Sequence, residues 1–179
     1  MFKTTEDSRI QISELMIPSN ANFGGKIHGG YILSLMDRVA FACASKHSRS
    51  YCVTASVNKV NFLSPIEVGE LVTMKASVNY VGKSSMVVGI RVESENIRTG
   101  KKKHCNSSYF TMVAVDESNK TVTVPGLILG TKMDAKRFIK SIIRRESDAK
   151  KSEDLNSVYK NVDAHLEQLK DYRVQIDFK

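Results

Sequence analysis

One carboxylate stands inside an apolar segment of this 179-residue chain. Asp37 lies within residues 30–46, where most neighbours are apolar, and the segment predicts a central helix surrounded by protein on all sides. Because burying an unpaired charge is costly, Asp37 should be paired, hydrogen-bonded or facing a cavity in which its charge does chemistry. Arg38 and Lys46 are the nearby cations that would make it a purely structural carboxylate.

A glycine-rich loop before this segment supplies hydrogen-bond donors. Gly24 and Gly25 let the backbone approach a ligand closely, and Gly29 with Gly30 opens the helix, where unpaired N–H groups point outward. Such donors suit an oxyanion, for example the one that develops on a thioester carbonyl under attack. Asp37 follows Gly30 by about two helical turns and returns to nearly the same face. The carboxylate and the donors can therefore share one pocket.

Several other chemistries lack their usual signals in the sequence. No phosphate-binding loop, GxSxG elbow or metal-ligand cluster occurs, so no metal or separate cofactor is expected. Three cysteines without CxxC spacing argue against a disulfide framework or a zinc site. Cys43 is expected to be a core thiol, because its segment is apolar and offers no paired histidine.

The net charge limits the classes of partner that the sequence predicts, and the N-terminal residues limit the predicted location. The net charge of +8 favours polyanions but does not choose among nucleic acid, lipid headgroups and phosphate-rich molecules. The N-terminus lacks the layout of a secretory signal, and no run of about 18 apolar residues occurs. We therefore expect a cytoplasmic protein without membrane insertion.

The elements that must position these residues follow from periodicity. A first strand is predicted within residues 8–17, and a strand over residues 51–63 changes parity near Asn58, as a β-bulge would. Apolar residues alternate in the next two segments: Val72, Met74, Ala76, Val78 and Tyr80, then Met86, Val88, Ile90 and Val92. A hairpin turn at residues 98–101 leads to a last strand over residues 104–115. The pattern predicts an α+β fold, an antiparallel meander wrapped around one long helix.

The composition divides the chain after Pro125-Gly126. Residues 1–126 are predicted to form the α+β domain, and residues 127–179, with dense mixed charge, a helical extension of unknown role. Its apolar seam comprises Leu155, Tyr159, Val162, Leu166 and Leu169. Two heptads are too few to assert a coiled coil, so the seam is expected to pack on its own domain or on a neighbouring subunit.

The opening motif resembles that of the hotdog-fold acyl-CoA thioesterases, specifically their cytosolic acyl-CoA hydrolase branch. The residues that carry it are Asn22, Gly25, His28, Gly29, Gly30 and Asp37. The resemblance continues in order and spacing through residues 53–57, 62–70, 82–86 and 110–116, and covers about residues 9–126. Two positions depart from the pattern: His28 stands where many members carry Phe, and Asn58 replaces an acidic residue.

The resemblance implies the site. Asp37 is expected to act as general base or as nucleophile, the Gly29 and Gly30 amides as oxyanion donors, and Asn22 to orient water or the carbonyl. Asn22 has the alternative of simply holding a turn, and His28 those of a general base, a pocket wall or a backbone-bonded residue. The implied substrate-binding residues are His28, Thr54, Ser56, Gly82, Lys83, Ser84 and Ser85, the last four beside the CoA phosphates.

The resemblance also implies partners. The substrate would be an acyl-CoA, with coenzyme A as part of it, and the chain would form at least a dimer and, as a trimer of dimers, a hexamer. The alternative is a non-catalytic acyl-CoA sensor whose C-terminal helices bind a partner. An acyl-CoA hydratase fits less well, since that chemistry pairs Asp with His in a different motif, and the interleaved charge of the tail disfavours nucleic acid. The acyl length preference does not follow from the sequence.

Overall fold

The computed structural model describes residues 1–175 and 177, with the side chains of Tyr159, Lys160 and Lys170 left out. The strands are β1 (Phe2–Thr4), β2 (Ile10–Leu15), β3 (Tyr51–Val57), β4 (Glu70–Val81), β5 (Ser85–Asn96), β6 (Lys102–Val115) and β7 (Gly126–Ile128). The α-helices are α1 (Thr5–Ser8), α2 (Gly29–Ser48) and α3 (Lys132–Lys160), and 3-10 turns span Pro18–Asn20 and Asp163–Asp171.

Five strands form one antiparallel sheet in the order β2-β4-β5-β6-β3. The meander was predicted correctly for β4, β5 and β6. β3 instead pairs with β6 at the far edge, so residues 58–69 cross the sheet to reach β4. A short parallel pair of β1 and β7 was not predicted.

The predicted alternation is confirmed in β5 and, in β4, as far as Val78. Tyr80 was predicted on the same face but lies on the opposite one, because the register shifts between Val78 and Tyr80. Val72, Met74, Val88 and Val92 are at most 2% exposed and face α2 in one core. Lys75 and Arg91 alternate with the buried residues along their strands and are exposed on the opposite face of the sheet.

The long helix α2 is buried along one stripe rather than on all sides. Its buried residues recur every three or four positions: Ile32, Leu35, Met36, Val39, Ala40, Cys43, Ala44 and His47. The sheet covers only this stripe, so Asp37 and Phe41 are exposed. The expectation of an enclosed helix is therefore wrong within a single chain.

The bulge in β3 lies earlier than predicted. The register shifts between Thr54 and Ser56, which makes Ala55 the extra residue, and the strand ends at Val57. The β6 partners are Met112 for Thr54, Thr111 for Ser56 and Phe110 for Val57. Because paired residues share a face, Thr54 and Val57 lie on the α2 side with the buried Met112 and Phe110, whereas Ser56 lies on the other side.

The chain divides into two compact units, residues 1–138 and residues 139–179. Helix α3 ends at Lys160, so the predicted seam does not lie on one helix, and the Tyr159 side chain falls outside the described part. Leu155 and Val162 of the seam are about half exposed. In the described part of the chain, no helix is long and apolar enough to cross a membrane.

Candidate active site

Asp37 is held by a threonine from the neighbouring strand. Thr54 Oγ1 donates a hydrogen bond of 2.6 Å to Asp37 Oδ1, while Oδ2 accepts none from the described residues. This contact fixes the carboxylate to the edge strand β3. The expected hydrogen-bonded carboxylate is thus present, with one oxygen available to a ligand.

Beside this pair lies a hollow of about 570 Å³. It is lined by Leu33, Ser34, Asp37, Val57, Asn58, Lys59, Val60 and Phe110. The walls are largely apolar, and Asp37 is the one carboxylate among these lining residues. A site with apolar walls and one oriented carboxylate suits a substrate with an apolar chain and a reacting polar group.

Asn22 organises the loop before α2. Its Oδ1 accepts hydrogen bonds from the backbone N–H groups of Gly24 at 2.9 Å and Lys26 at 3.1 Å. Gly25, inside this turn, has φ of +75°, a conformation that favours glycine. The side-chain oxygen of Asn22 therefore holds a turn, which is one of the two roles considered for this residue. Its amide nitrogen donates to none of the described residues.

His28 caps the N-terminus of α2 with its side chain. Its Nδ1 accepts a hydrogen bond of 3.0 Å from the Gly30 N–H, and a Cβ added to Gly30 would lie 2.7 Å from the imidazole ring. The structure thus gives His28 the backbone-bonded role among those considered. It also means that the N–H predicted as an oxyanion donor at Gly30 is already engaged.

Gly29 keeps its N–H unused by any hydrogen bond of the described backbone or side chains. The ring of Phe62 packs against this glycine, since a Cβ built on Gly29 would lie 3.2 Å from it. Phe62 comes from the segment between β3 and β4, and its place in the site was not predicted. Of the two predicted donors, only Gly29 is free in this conformation.

The remaining predicted residues lie apart from Asp37 within one chain. Ser56 is on the far face of the sheet because of the bulge, and it does not line the hollow. Gly82 to Ser85 form the turn between β4 and β5, where the Gly82 N–H donates to the Ser85 carbonyl oxygen at 2.7 Å. Ser85 pairs with β6 rather than with β3, and Lys83 is exposed.

Two other titratable side chains of α2, Tyr31 and Cys43, have raised pKa values because of their surroundings. Tyr31 Oη donates to the Glu14 carboxylate of β2, and this hydrogen bond raises the pKa of Tyr31. Burial raises the pKa of Cys43 to about 12, and its thiol donates to the Ser8 carbonyl oxygen at 3.2 Å. Cys43 is a core thiol, as predicted. Tyr31 and Glu14 tie the first turn of α2 to the sheet.

Several known proteins are similar to this chain in sequence and in architecture. A family model described as the Thioesterase superfamily matches residues 24–101. Protein VdlD of Helicobacter pylori (strain ATCC 700392 / 26695) is 42% identical over 143 residues, which are 80% of this chain and 82% of that protein. A solved apo-hexameric acyl-CoA thioesterase is 35% identical with a TM-score of 0.82, over 84% of this chain and 97% of its own.

A second solved structure is the acyl-CoA hydrolase of Staphylococcus aureus in complex with butyryl coenzyme A, coenzyme A and coenzyme A disulfide. It is 26% identical with a TM-score of 0.79, and the match covers 90% of this chain and 100% of that one. Three further structures are of variants of that enzyme with one residue replaced by alanine. The replaced residues are an asparagine, an aspartate 15 residues later and a threonine 17 residues after the aspartate.

The chain belongs to the Thioesterase superfamily. Its curled antiparallel sheet and long helix are the hotdog fold of the acyl-CoA thioesterases in that superfamily, and it is a member of that enzyme class. The predictions of fold and enzyme class are both confirmed.

Proposed function

We propose that this protein hydrolyses acyl-CoA thioesters to a carboxylic acid and coenzyme A, with Asp37 as the reacting carboxylate. The observation that carries this proposal is the Asp37–Thr54 hydrogen bond at the edge of a largely apolar hollow. Asn22, Asp37 and Thr54 are separated by 15 and 17 residues, the same types and spacing as the three residues replaced in the S. aureus enzyme.

Asp37 can act in either of two ways. As general base, it takes a proton from water while the water oxygen attacks the thioester carbonyl carbon; the C–S bond then breaks and the proton passes to the leaving thiolate. As nucleophile, Asp37 attacks the carbonyl carbon itself, releases the thiolate and forms a mixed anhydride that water cleaves. In both routes Thr54 fixes the carboxylate through one oxygen and leaves the other to react.

Gly29 would stabilise the charge that develops on the carbonyl oxygen. Its N–H is unused, and the position at the start of α2 adds the favourable field of the helix N-terminus. Gly30 would contribute a second donor only if the His28 ring left it, since His28 Nδ1 accepts that N–H. The oxyanion site thus has one ready donor and one held by His28.

A homo-oligomer would complete the site. The exposed apolar side chains on α2 and β3 include Phe41, Tyr51, Val53 and Val57, which a second copy would bury. In such an assembly, Ser56 and the loop of Gly82 to Ser85 would serve the hollow of a neighbouring subunit and bind the CoA phosphates there. A dimer is the minimum unit, and a hexamer is the state we propose. The cytoplasm stays the proposed location.

The deciding experiment measures thiol release from acetyl-, butyryl-, octanoyl- and palmitoyl-CoA by the purified full chain. Turnover by the wild type and its loss in Asp37→Asn are expected, with Asp154→Asn, an exposed aspartate of α3, as the matched control. Acyl-CoA binding without turnover by the wild type would support the sensor alternative instead. A single turnover in ¹⁸O water tests for the nucleophilic route, because ¹⁸O enters the Asp37 side chain only when water cleaves the mixed anhydride at the Asp37 carbonyl carbon.

A further inference from the structure

One aromatic ring forms the sheet side of the Asp37 hollow. Phe110 of β6 lines the hollow and is 1% exposed. It pairs with Val88 of β5, which belongs to the core against α2, so the Phe110 ring also projects from the sheet toward α2. The ring therefore stands in the space into which an apolar chain would extend from Asp37.

The strand register gives the distance between the reacting carboxylate and this ring. Thr54, which holds Asp37, pairs with Met112, and Phe110 lies two residues further along the same face of β6. Two residues of an antiparallel strand span about 7 Å. An extended chain advances about 1.2 Å per bond, because three backbone bonds span at most about 3.6 Å. An acyl chain that runs along β6 from a carbonyl at Asp37 would thus meet the ring after about six bonds.

The segment after β3 covers β6 beyond Phe110. The Asn58 N–H donates a hydrogen bond of 2.9 Å to the Tyr109 carbonyl oxygen. The Asn58 carbonyl oxygen accepts one of 3.2 Å from Ser108 Oγ, and Ser108 is fully buried. Both backbone polar groups of Asn58, which itself lines the hollow, are therefore tied to β6. An acyl chain could continue past Phe110 along β6 only by breaking these hydrogen bonds.

Behind Phe110 the same face of β6 is polar. Asn106 lies two residues beyond Ser108, pairs with the buried Val92 and is itself 0% exposed. Neither its Oδ1 nor its Nδ2 has a hydrogen-bond partner among the described residues. An apolar chain that reached this point would leave the buried amide unpaired, so it would gain less than it would against an apolar floor. The interior behind the ring therefore disfavours a longer apolar chain as well.

We propose that Phe110 determines the acyl length that the site accepts, and that acyl chains of up to about eight carbons are the preferred substrates. This inference rests on the proposed thioester hydrolysis and names the acyl class for the same hollow. The Phe110 ring meets the far end of the chain rather than the reacting carbonyl, so it acts on acyl binding and not on the chemical step. Its replacement should therefore change KM for long chains more than kcat.

The test compares kcat and KM of the full chain for butyryl-, hexanoyl-, octanoyl-, decanoyl- and dodecanoyl-CoA. In the wild type, kcat/KM should fall about tenfold or more from octanoyl- to dodecanoyl-CoA, since even one methylene that does not fit is worth about tenfold. Phe110→Ala should raise the ratio of dodecanoyl to octanoyl kcat/KM by about tenfold or more, mainly through KM. Phe110→Leu, a smaller change, should raise the same ratio by less.

Val88→Ala is the matched control. Val88 pairs with Phe110 and is as deeply buried, but it does not line the hollow, so this variant should leave the ratio unchanged. Asn106→Leu should raise the ratio further in the Phe110→Ala background, where the chain can reach position 106. Thermal midpoints of all variants show that each is folded.

Two results would overturn the inference alone. One is a wild type that hydrolyses dodecanoyl-CoA as well as octanoyl-CoA, and the other is an equal change of the ratio in Phe110→Ala and Val88→Ala. Both results require turnover, so they leave the proposed function intact. Absence of turnover with every acyl-CoA would instead overturn the proposed function, and the inference with it.

Discussion

The contact between His28 and Gly30 predicts that two substitutions at the start of α2 are coupled. Alanine at position 30 would bring its Cβ to 2.7 Å from the His28 ring, so the ring must move and the 3.0 Å hydrogen bond to the Gly30 N–H must break. Losing a helix N-cap costs about 1 kcal/mol. Replacing glycine by alanine in a helix returns up to about 1 kcal/mol. Gly30→Ala alone should therefore change the free energy of unfolding little.

The same substitution behaves differently once the ring is absent. His28→Ala removes the cap and should destabilise the protein by about 1 kcal/mol. In that background Gly30→Ala meets no ring, so it should stabilise by up to about 1 kcal/mol. The double variant is then about 1 kcal/mol more stable than the sum of the two single effects, well above the deviation of about 0.3–0.5 kcal/mol expected for independent sites.

Urea unfolding of the wild type, both single variants and the double variant measures this coupling. All four proteins should be compared at one protein concentration, because association adds to the apparent stability. Equal effects of Gly30→Ala with and without the His28 ring would refute the reasoning, since they would show that alanine at position 30 does not displace the ring from its capping hydrogen bond. Gly100→Ala, at a turn with φ of +68°, should destabilise equally in both backgrounds.

Three further predictions concern the site and the core. Thr54→Val should lower kcat about tenfold or more with little change in KM, because it removes the hydrogen-bond donor to Asp37. Thr54→Ser keeps this donor and should retain most activity. Equal losses of kcat in both variants would contradict this prediction. Gly29→Ala should lower kcat by displacing the Phe62 ring, and Phe62→Ala should restore part of it; no restoration would exclude that contact as the cause. Burial lowers the pKa of His47, so the unfolded chain binds a proton at this residue more readily than the folded chain does. The free energy of unfolding should therefore fall as the pH drops below about 6.5, the usual pKa of histidine. Urea midpoints at pH 7.5 and 5.5 test this, and His47→Leu should flatten the pH dependence.

The sequence predicted best where one side of an element meets the core and the other meets water. Met74 and Lys75 of β4 illustrate this, because a two-residue period places them on opposite faces whatever the pairing partner is. The position of β3 was not predictable in the same way. Strand pairing depends on contacts between distant segments, and residues 58–69 are long enough to carry the chain to either edge of the sheet.

The bulge in β3 shows that alternation in the sequence predicts which face of the sheet a side chain occupies only as far as the next bulge. Val53 and Ala55 precede Val57 at a regular spacing, so the sequence predicts one continuous face. The extra residue at Ala55 reverses the parity, and Thr54 and Ser56 then lie on opposite faces. Sequence periodicity could not reveal this reversal, because small and β-branched residues occupy both faces of β3.

The site was predictable in its residue types but not in its contacts. The Asp37–Thr54 contact requires α2 to pack beside an edge strand, which only the folded chain defines. The capping contact of His28 was considered among three roles, and the competition it creates for the Gly30 N–H depends on a ring rotamer. Phe62 had no local signal, because it lies in an irregular crossing segment.

The wrong expectation about α2 itself carries information. A helix with apolar residues on every side predicts burial on every side, yet the sheet of one chain covers only one stripe and leaves Phe41 38% exposed. On the same uncovered side, Phe41 stacks edge-on with Tyr51 of β3, whose outer edge has no strand partner among the described residues. An apolar helix face next to an open strand edge is the surface that the proposed homo-oligomer would bury, and such burial would account for the apolar composition of α2.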